Sequence, residues 1–260
     1  MGAMTDLSVR DSGGAGTPLL LLHAFPLNSA MWRGQLDGSL GAVRVLAPDL
    51  PGFGASPAPA GEPSLDDWAD QLAQVLDRAG VARAVVGGLS MGGYLAMAFA
   101  RRHGDRLAGL LLADTKASTD APAALTNRER IASAVLARQS VALLLEEKTE
   151  ASLLGTEAGE ELAEEVRGLI GAATPEGVAW AQRAMAGRAD SFATLAGLAV
   201  PAAVVVGEDD RLTPVDDAED LVLTLPDAEL TVIPGVGHLS ALEAPAAFNA
   251  ALGALLRRVR

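Results

Sequence analysis

Cysteine is absent from the 260-residue chain, and lysine is nearly so, with Lys116 and Lys148 the two present. Aromatic residues make up 3%, and histidine occurs three times. Each scarcity excludes something. Without cysteine there is no disulfide framework, no thiolate nucleophile and no zinc ribbon. No apolar run approaches the ~18–20 residues of a membrane span. The N-terminus lacks the basic-then-apolar order of a secretory leader. A cytoplasmic location with no membrane partner is therefore expected. Basic residues number 20 against 33 acidic ones, a net charge of −13. Neutralising phosphates needs clustered positive charge, so no nucleic-acid partner is expected either. Arg257, Arg258 and Arg260 make only a short basic tail. Met1–Met4 reads as a remnant ahead of a natural start at Met4 and is left out of the fold reasoning.

What is present is short apolar runs alternating with longer amphipathic ones. Half the residues are hydrophobic, mostly Ala, Leu and Val. At roughly 100–200 residues per domain, one large domain, or one with an insertion, is expected. Strands are expected at Pro18–Leu22, Val43–Ala47, Ala84–Gly88, Leu107–Ala113, Ala202–Val206 and Glu229–Ile233. Most are continuously apolar, as parallel strands covered on both faces are. Between them, Ser64 can cap a helix burying Leu65, Trp68, Leu72, Val75 and Leu76, with Gly80 as its stop. A helix over Met91–Arg102 is apolar nearly all round and should be buried. Further helices follow Pro214 and Pro245. The alternation of strand and helix predicts an α/β fold with a mostly parallel central sheet and helices on both faces.

The alternation breaks once. From 115 to 191 no strand is evident, and helices are expected over Asn127–Arg138, Ser140–Glu150, Gly159–Gly171 and Pro175–Gly187. This block reads as a helical lid (115–191) inserted between two parts of a core (5–114 and 192–260). Residues 141–170 hold eight glutamates against Lys148 and Arg167, a net of −6, which reads as a solvated helix face. On composition the lid offers Leu143, Leu144, Trp180, Met185 and Phe192 as candidate pocket residues, packing within the lid being the competing reading. The overall charge predicts long-range repulsion of anionic substrates.

Gly88-Leu89-Ser90-Met91-Gly92 fits G-x-S-x-G. It follows an apolar strand and opens a buried helix, the context in which a sharp turn exposes a serine hydroxyl at the edge of a sheet. At the helix N-terminus, backbone N–H groups favour negative charge. A serine nucleophile needs a base. His238, in Gly235-Val236-Gly237-His238, sits between the last strand and the last helix, where α/β sites gather their residues. His103 ends a helix and reads as structural. An orienting acid is available after strand Ala202–Val206, where Glu208, Asp209 and Asp210 crowd one loop, the remaining carboxylates capping the next helix or pairing with Arg211. Asp114 at the end of Leu107–Ala113 is a second candidate acid. Chain order is then serine, acid, histidine. Pro51-Gly52-Phe53-Gly54 lacks the lysine and spacing of a phosphate loop and reads as a tight turn.

These segments together resemble the α/β-hydrolase superfamily, in particular its small lid-bearing serine hydrolases. Leu19–Leu22 with His23-Ala24-Phe25-Pro26 is similar to that family's H-G-F-P segment. Asp49–Ser56 is similar to D-x-P-G-x-G-x-S, Gly88–Gly92 to its nucleophile elbow, Gly207-x-x-Asp210-x-x-x-Pro214 to its acid loop and Gly237-His238 to its histidine loop. The resemblance covers about 18–115 and 199–252. It implies Ser90 as nucleophile, His238 as base and then acid, and Asp210 as the orienting carboxylate. It also implies an oxyanion hole from the backbone N–H groups of Phe25 and Met91, with His23 propping that loop. Ala24 stands where glycine is usual, so the loop there must avoid left-handed backbone. No metal or organic cofactor is implied. The chain looks most similar to 3-oxoadipate enol-lactonases and cofactor-free haloperoxidase/esterases. That implies hydrolysis of a small to medium, largely apolar ester or lactone. C–C hydrolysis or perhydrolysis on the same triad, or a receptor-like role, are the alternatives. Serine at the elbow argues against haloalkane dehalogenases and epoxide hydrolases, which use aspartate there.

Overall fold

The computed structural model describes residues 6–259. Met1–Met4, Thr5 at the expected edge of the core and Arg260 of the basic tail lie outside the described residues. Seven strands form one sheet: β1 (Val9–Asp11), β2 (Thr17–Leu22), β3 (Val43–Pro48), β4 (Ala84–Leu89), β5 (Leu107–Ala113), β6 (Ala202–Gly207) and β7 (Ala228–Ile233). Their order is β1-β3-β2-β4-β5-β6-β7, with β1 antiparallel to β3 and every other pair parallel. The helices are α1 (Arg33–Leu36), α2 (Leu65–Arg78), α3 (Met91–His103), α4 (Pro122–Arg138), α5 (Ala142–Glu146) and α6 (Thr149–Leu153). They continue with α7 (Glu160–Gly171), α8 (Pro175–Ala186), α9 (Phe192–Ala196), α10 (Val215–Thr224), α11 (Ser240–Glu243) and α12 (Pro245–Arg258).

The central strands are buried throughout. Leu19–Leu22 of β2 are fully inaccessible, as are Ala84–Val86 of β4. Continuous apolar sequence is what helices on both faces of a parallel sheet require. In α2 the Ser64 hydroxyl accepts from the Asp67 N–H at 3.2 Å, and Asp66 and Asp67 sit in the first turn, where the helix dipole favours them. Helix α3 is buried on every side from Met91 to Ala100.

Departures from the expected elements are local. β1 was not anticipated, because three edge residues carry no usable alternation. The helix expected over Ser140–Glu150 is two helices, broken at Lys148, which takes left-handed backbone (φ 52°). No glycine or proline marks that break. It turns α6 so that the Leu153 carbonyl meets the His238 N–H at 3.0 Å. The short α1, α9 and α11 are single turns below the length at which periodicity is readable.

The sheet order sets the position of the site. β2 lies between β3 and β4, so successive connections leave it in opposite directions, and a crevice opens beyond its C-terminal end. Register then aligns the strand ends: Leu22 pairs with Gly88, Leu89 with Ala113, Ala113 with Val205 and Gly207 with Ile233. The loops carrying Phe25, Ser90, Asp114, Asp210 and His238 all leave the same edge.

Trp180 of α8 stacks on Trp68 of α2 with ring centroids 4.4 Å apart and planes 18° off parallel. The pair ties the inter-strand helices to the sheet layer. Trp180→Ala should lower the free energy of unfolding by about 3–5 kcal/mol, measured by urea titration.

Candidate active site

Ser90 sits at φ 57° and ψ −113°, a conformation that costs a non-glycine residue about 1–3 kcal/mol. Hydrogen bonds hold it there. Its N–H donates to Ala113 O at 2.9 Å, and its carbonyl accepts from Gly93 N (2.9 Å), Tyr94 N (3.1 Å) and the Thr115 hydroxyl (2.9 Å). The turn also demands glycine. A Cβ on Gly88 would collide with the Gly92 carbonyl, and one on Gly92 with the Leu22 carbonyl. Ser90 itself remains partly accessible.

His238 and Asp210 are both buried and share a 2.7 Å hydrogen bond from imidazole Nδ1 to carboxylate Oδ2. Three further donors fix Asp210: Leu212 N at 2.8 Å and Thr213 N at 3.1 Å to Oδ1, and the Thr213 hydroxyl at 2.7 Å to Oδ2. Burial disfavours the Asp210 anion, but these bonds and the facing imidazole outweigh it and leave its pKa lowered. Burial likewise disfavours the His238 cation. The Asp210 hydrogen bond and charge, helped by Asp114 and Glu243, override that and leave its pKa raised. Asp210 is thus the carboxylate on His238. Glu208 instead accepts from Gly235 N at 3.2 Å, and among the described residues neither Glu208 nor Asp209 pairs with Arg211.

Asp114, the other candidate acid, faces elsewhere. It accepts from Gly207 N at 2.9 Å and from the Ser240 hydroxyl, cross-linking β5 to the acid and histidine loops. Burial, with the nearby Asp210 charge, pushes it up to about 7. Glu243 plays a similar part that sequence reasoning missed. Its carboxylate accepts from Gly155 N (2.8 Å), Gly237 N (3.2 Å) and Leu239 N (3.2 Å). Thr213 was missed too, although Asp-x-x-Thr is a recognisable side-chain-to-backbone turn pattern.

On the β2 side, burial holds His23 down to about 4. Its Nδ1–H donates to Ala24 O at 2.9 Å and Nε2 accepts from Leu50 N at 3.0 Å, which fixes one neutral tautomer. Ala24 stays out of left-handed backbone, as its Cβ requires. Asp49 accepts from Ser29 N (2.8 Å) and Ala55 N (2.9 Å), so the Pro51–Gly54 segment is a stapled turn. Neither Phe25 N–H nor Met91 N–H takes an acceptor among the described residues. His103 pairs with Asp70 at 2.8 Å on the α2–α3 surface, away from these loops.

Phe25, Ser90 and His238 line one cavity of about 410 Å³. The structure brings Ser90 and His238 to the same space without a hydrogen bond between their side chains. Of the expected pocket residues, Met185 lines this cavity and the others do not. Leu143 and Leu144 are buried in the core, Trp180 packs on Trp68, and Phe192 is half exposed at the start of α9. Burial claims the large apolar side chains for helix packing, and the wall they leave is mixed. Ile131 and Leu153 alternate there with Lys116, Arg128 and Gln182. The wall is thus less apolar than the candidate leucines and aromatics of the lid would have made it.

The family model for the alpha/beta hydrolase fold matches residues 17–245. The chain belongs to that family. It is a hydrolase. A thermophilic esterase from Thermogutta terrifontis, solved with malate bound, superposes with a TM-score of 0.92 at 40% identity, over 97% of this chain and 93% of that one. A 3-oxoadipate enol-lactonase 2 from Acinetobacter baylyi is 28% identical over 95% of this chain and 91% of its own length. An epoxide hydrolase 3 from Xenopus tropicalis is 40% identical over 107 residues, 39% of this chain. The chain spans only 28% of that relative's length.

Two outcomes separate the carboxylates. Asp210→Asn should lower kcat by about 10³–10⁴-fold. Asp114→Asn, which can still accept from Gly207 N and donate to Ser240, should stay within about tenfold of wild type. Because the His238 pKa is raised, the free enzyme holds its proton above the ordinary imidazole range. The acid limb of kcat/KM should therefore have its midpoint above about 6.5, and removing the Asp210 charge should move that midpoint down.

Proposed function

We propose that the protein hydrolyses a small to medium-sized carboxylic ester or lactone through Ser90, His238 and Asp210, by way of an acyl-enzyme. The observation that carries this reading is a strained, accessible Ser90 sharing a cavity with the buried His238–Asp210 pair. Ser90 Oγ attacks the ester carbonyl while His238 Nε2 takes its proton. Asp210 holds the imidazole with Nδ1–H inward and stabilises the cation that forms. The acceptor-free N–H groups of Phe25 and Met91 meet the developing oxyanion, each donor contributing on the order of 3–4 kcal/mol to the transition state. His238 then returns its proton to the departing alkoxide, and water, activated by the same imidazole, cleaves the acyl-enzyme. The helical segment 115–191 acts as a lid, since its residues roof the cavity.

The esterase and enol-lactonase relatives, which align over nearly the whole chain, support an ester or lactone bond. The partial likeness to an epoxide hydrolase carries less weight, because serine occupies the elbow. C–C hydrolysis and perhydrolysis could use the same residues, and a substrate panel separates them.

A fluorophosphonate should add its phosphonyl group to Ser90, located by peptide mass spectrometry. Ser90→Ala should abolish labelling and lower ester turnover by about four to six orders of magnitude. Full turnover in that variant would refute the reading, and turnover of β-diketones with none of short esters would favour the C–C alternative.

A further inference from the structure

Two cationic side chains, Lys116 and Arg128, line the cavity beside Ser90. Lys116, two residues beyond Asp114, lines the cavity, and its neighbour Thr115 is bonded to the Ser90 carbonyl, which fixes Lys116 near the elbow. No carboxylate forms an ion pair with Lys116 among the described residues. Asp217 in the first turn of α10 feels its charge from beyond ion-pair reach. Arg128 of α4 lines the same cavity. Its Nε donates to Asp120, its Nη1 donates to the Gln182 side-chain oxygen at 2.9 Å, and its Nη2 has no protein acceptor among the described residues. Asp120 is shared, because Arg188 also donates to it at 2.8 Å from behind, while lying 4.0 Å above the Tyr94 ring. The two arginines hold the Asp120 carboxyl well below the usual carboxylate range despite its burial. Asp120 therefore faces two guanidiniums, those of Arg128 and Arg188. Glu147, the other acid on the wall, is spoken for by a bidentate bond from Arg130 at 2.7 and 2.9 Å. Lys116 and Arg128 thus bring two cations to the cavity, while the two acids of its wall, Asp120 and Glu147, are already engaged by guanidiniums, in a protein whose net charge is −13.

We propose that Lys116 and Arg128 form a carboxylate subsite, so that the preferred substrate is an ester or lactone bearing a free carboxylate at the end away from the scissile bond. This rests on the ester-hydrolase reading and adds the substrate class to it. Arg128 is pre-organised by Asp120 and Gln182, so its open N–H group meets an anion with little ordering cost. Lys116 adds a point charge on a flexible stem. The long-range field of the acidic surface opposes an anion, but salt screens that field over about 8–10 Å, whereas contacts inside the cavity persist.

The test compares monomethyl succinate and monomethyl adipate with the methyl esters of the matching monoamides, which keep shape and lose charge. Wild type should show at least tenfold higher kcat/KM for the acids, chiefly through KM. Lys116→Met should bring that ratio toward one. Lys116→Glu should invert it and favour esters ending in an ammonium group. Arg128→Gln should also lower it, and the Lys116 variants stand on their own if that one fails to fold. Calorimetry with adipate gives a readout independent of turnover. Binding should weaken at least tenfold in Lys116→Met. Lys116-dependent adipate binding without turnover of any ester would keep the subsite and overturn the ester reading. Equal turnover of acids and amides by wild type, or adipate binding indifferent to Lys116, would overturn the subsite.

Discussion

A serine backbone at φ 57° and ψ −113° does not stay there unaided, and bonds from β5, from the first turn of α3 and from Thr115 keep it in place. The N–H of Ser90 continues the β4–β5 ladder onto Ala113, while its carbonyl starts helix α3 and also takes the Thr115 hydroxyl. Both strands adjoining the elbow are thereby committed. Leu22 must pair with Gly88 for the β2 loop to bring Phe25 alongside, and Gly92 must lack a side chain because the Leu22 carbonyl occupies that position. The strain is affordable only because several short bonds over-determine it.

Much of this was legible in the sequence because continuous apolar strands and capped amphipathic helices are local signals. Leu107–Ala113 runs as expected, and Ser64 caps the helix it was expected to cap. Ser90 and His238 stand out through motif and position, and Asp210 is singled out among its neighbouring carboxylates by the resemblance of its loop to the family's acid loop. What was not legible depends on the third dimension. Trp180 looks like a pocket residue in a list of lid aromatics, and its stacking on Trp68 is a contact over 100 residues in sequence that no window shows. The mixed cavity wall follows from which helix face turns inward, and no glycine or proline in the sequence marks the break at Lys148. Glu243 carries no motif, and its role emerges only when Gly155 and Gly237 come close enough for one carboxylate to serve both.

The acidic run of 141–170 is a solvated face for most of its length, as expected, but it is not unpaired. Glu146 meets Arg138 at 2.7 Å, Glu164 meets Arg167 at 2.7 Å and Glu165 meets Arg33 at 2.8 Å. Such exposed pairs add about 0–1 kcal/mol each to stability. Their larger effect is to bring counter-charge from Arg33 and Arg138 to a segment whose own balance is −6. Glu150 departs from the pattern, being buried, with Arg167 at 3.6 Å.

The bond from the His238 N–H to the Leu153 carbonyl, reinforced by Glu243 bridging Gly155 and Gly237, makes the imidazole loop and α6 a single mechanical piece. Withdrawing α6 to widen the cavity would unlatch the backbone that carries the imidazole. A molecule passing on that side would enter a chamber whose His238–Asp210 pair was momentarily displaced. Among the described residues α4 and α8 make no hydrogen bond to His238, so traffic there leaves the imidazole in place.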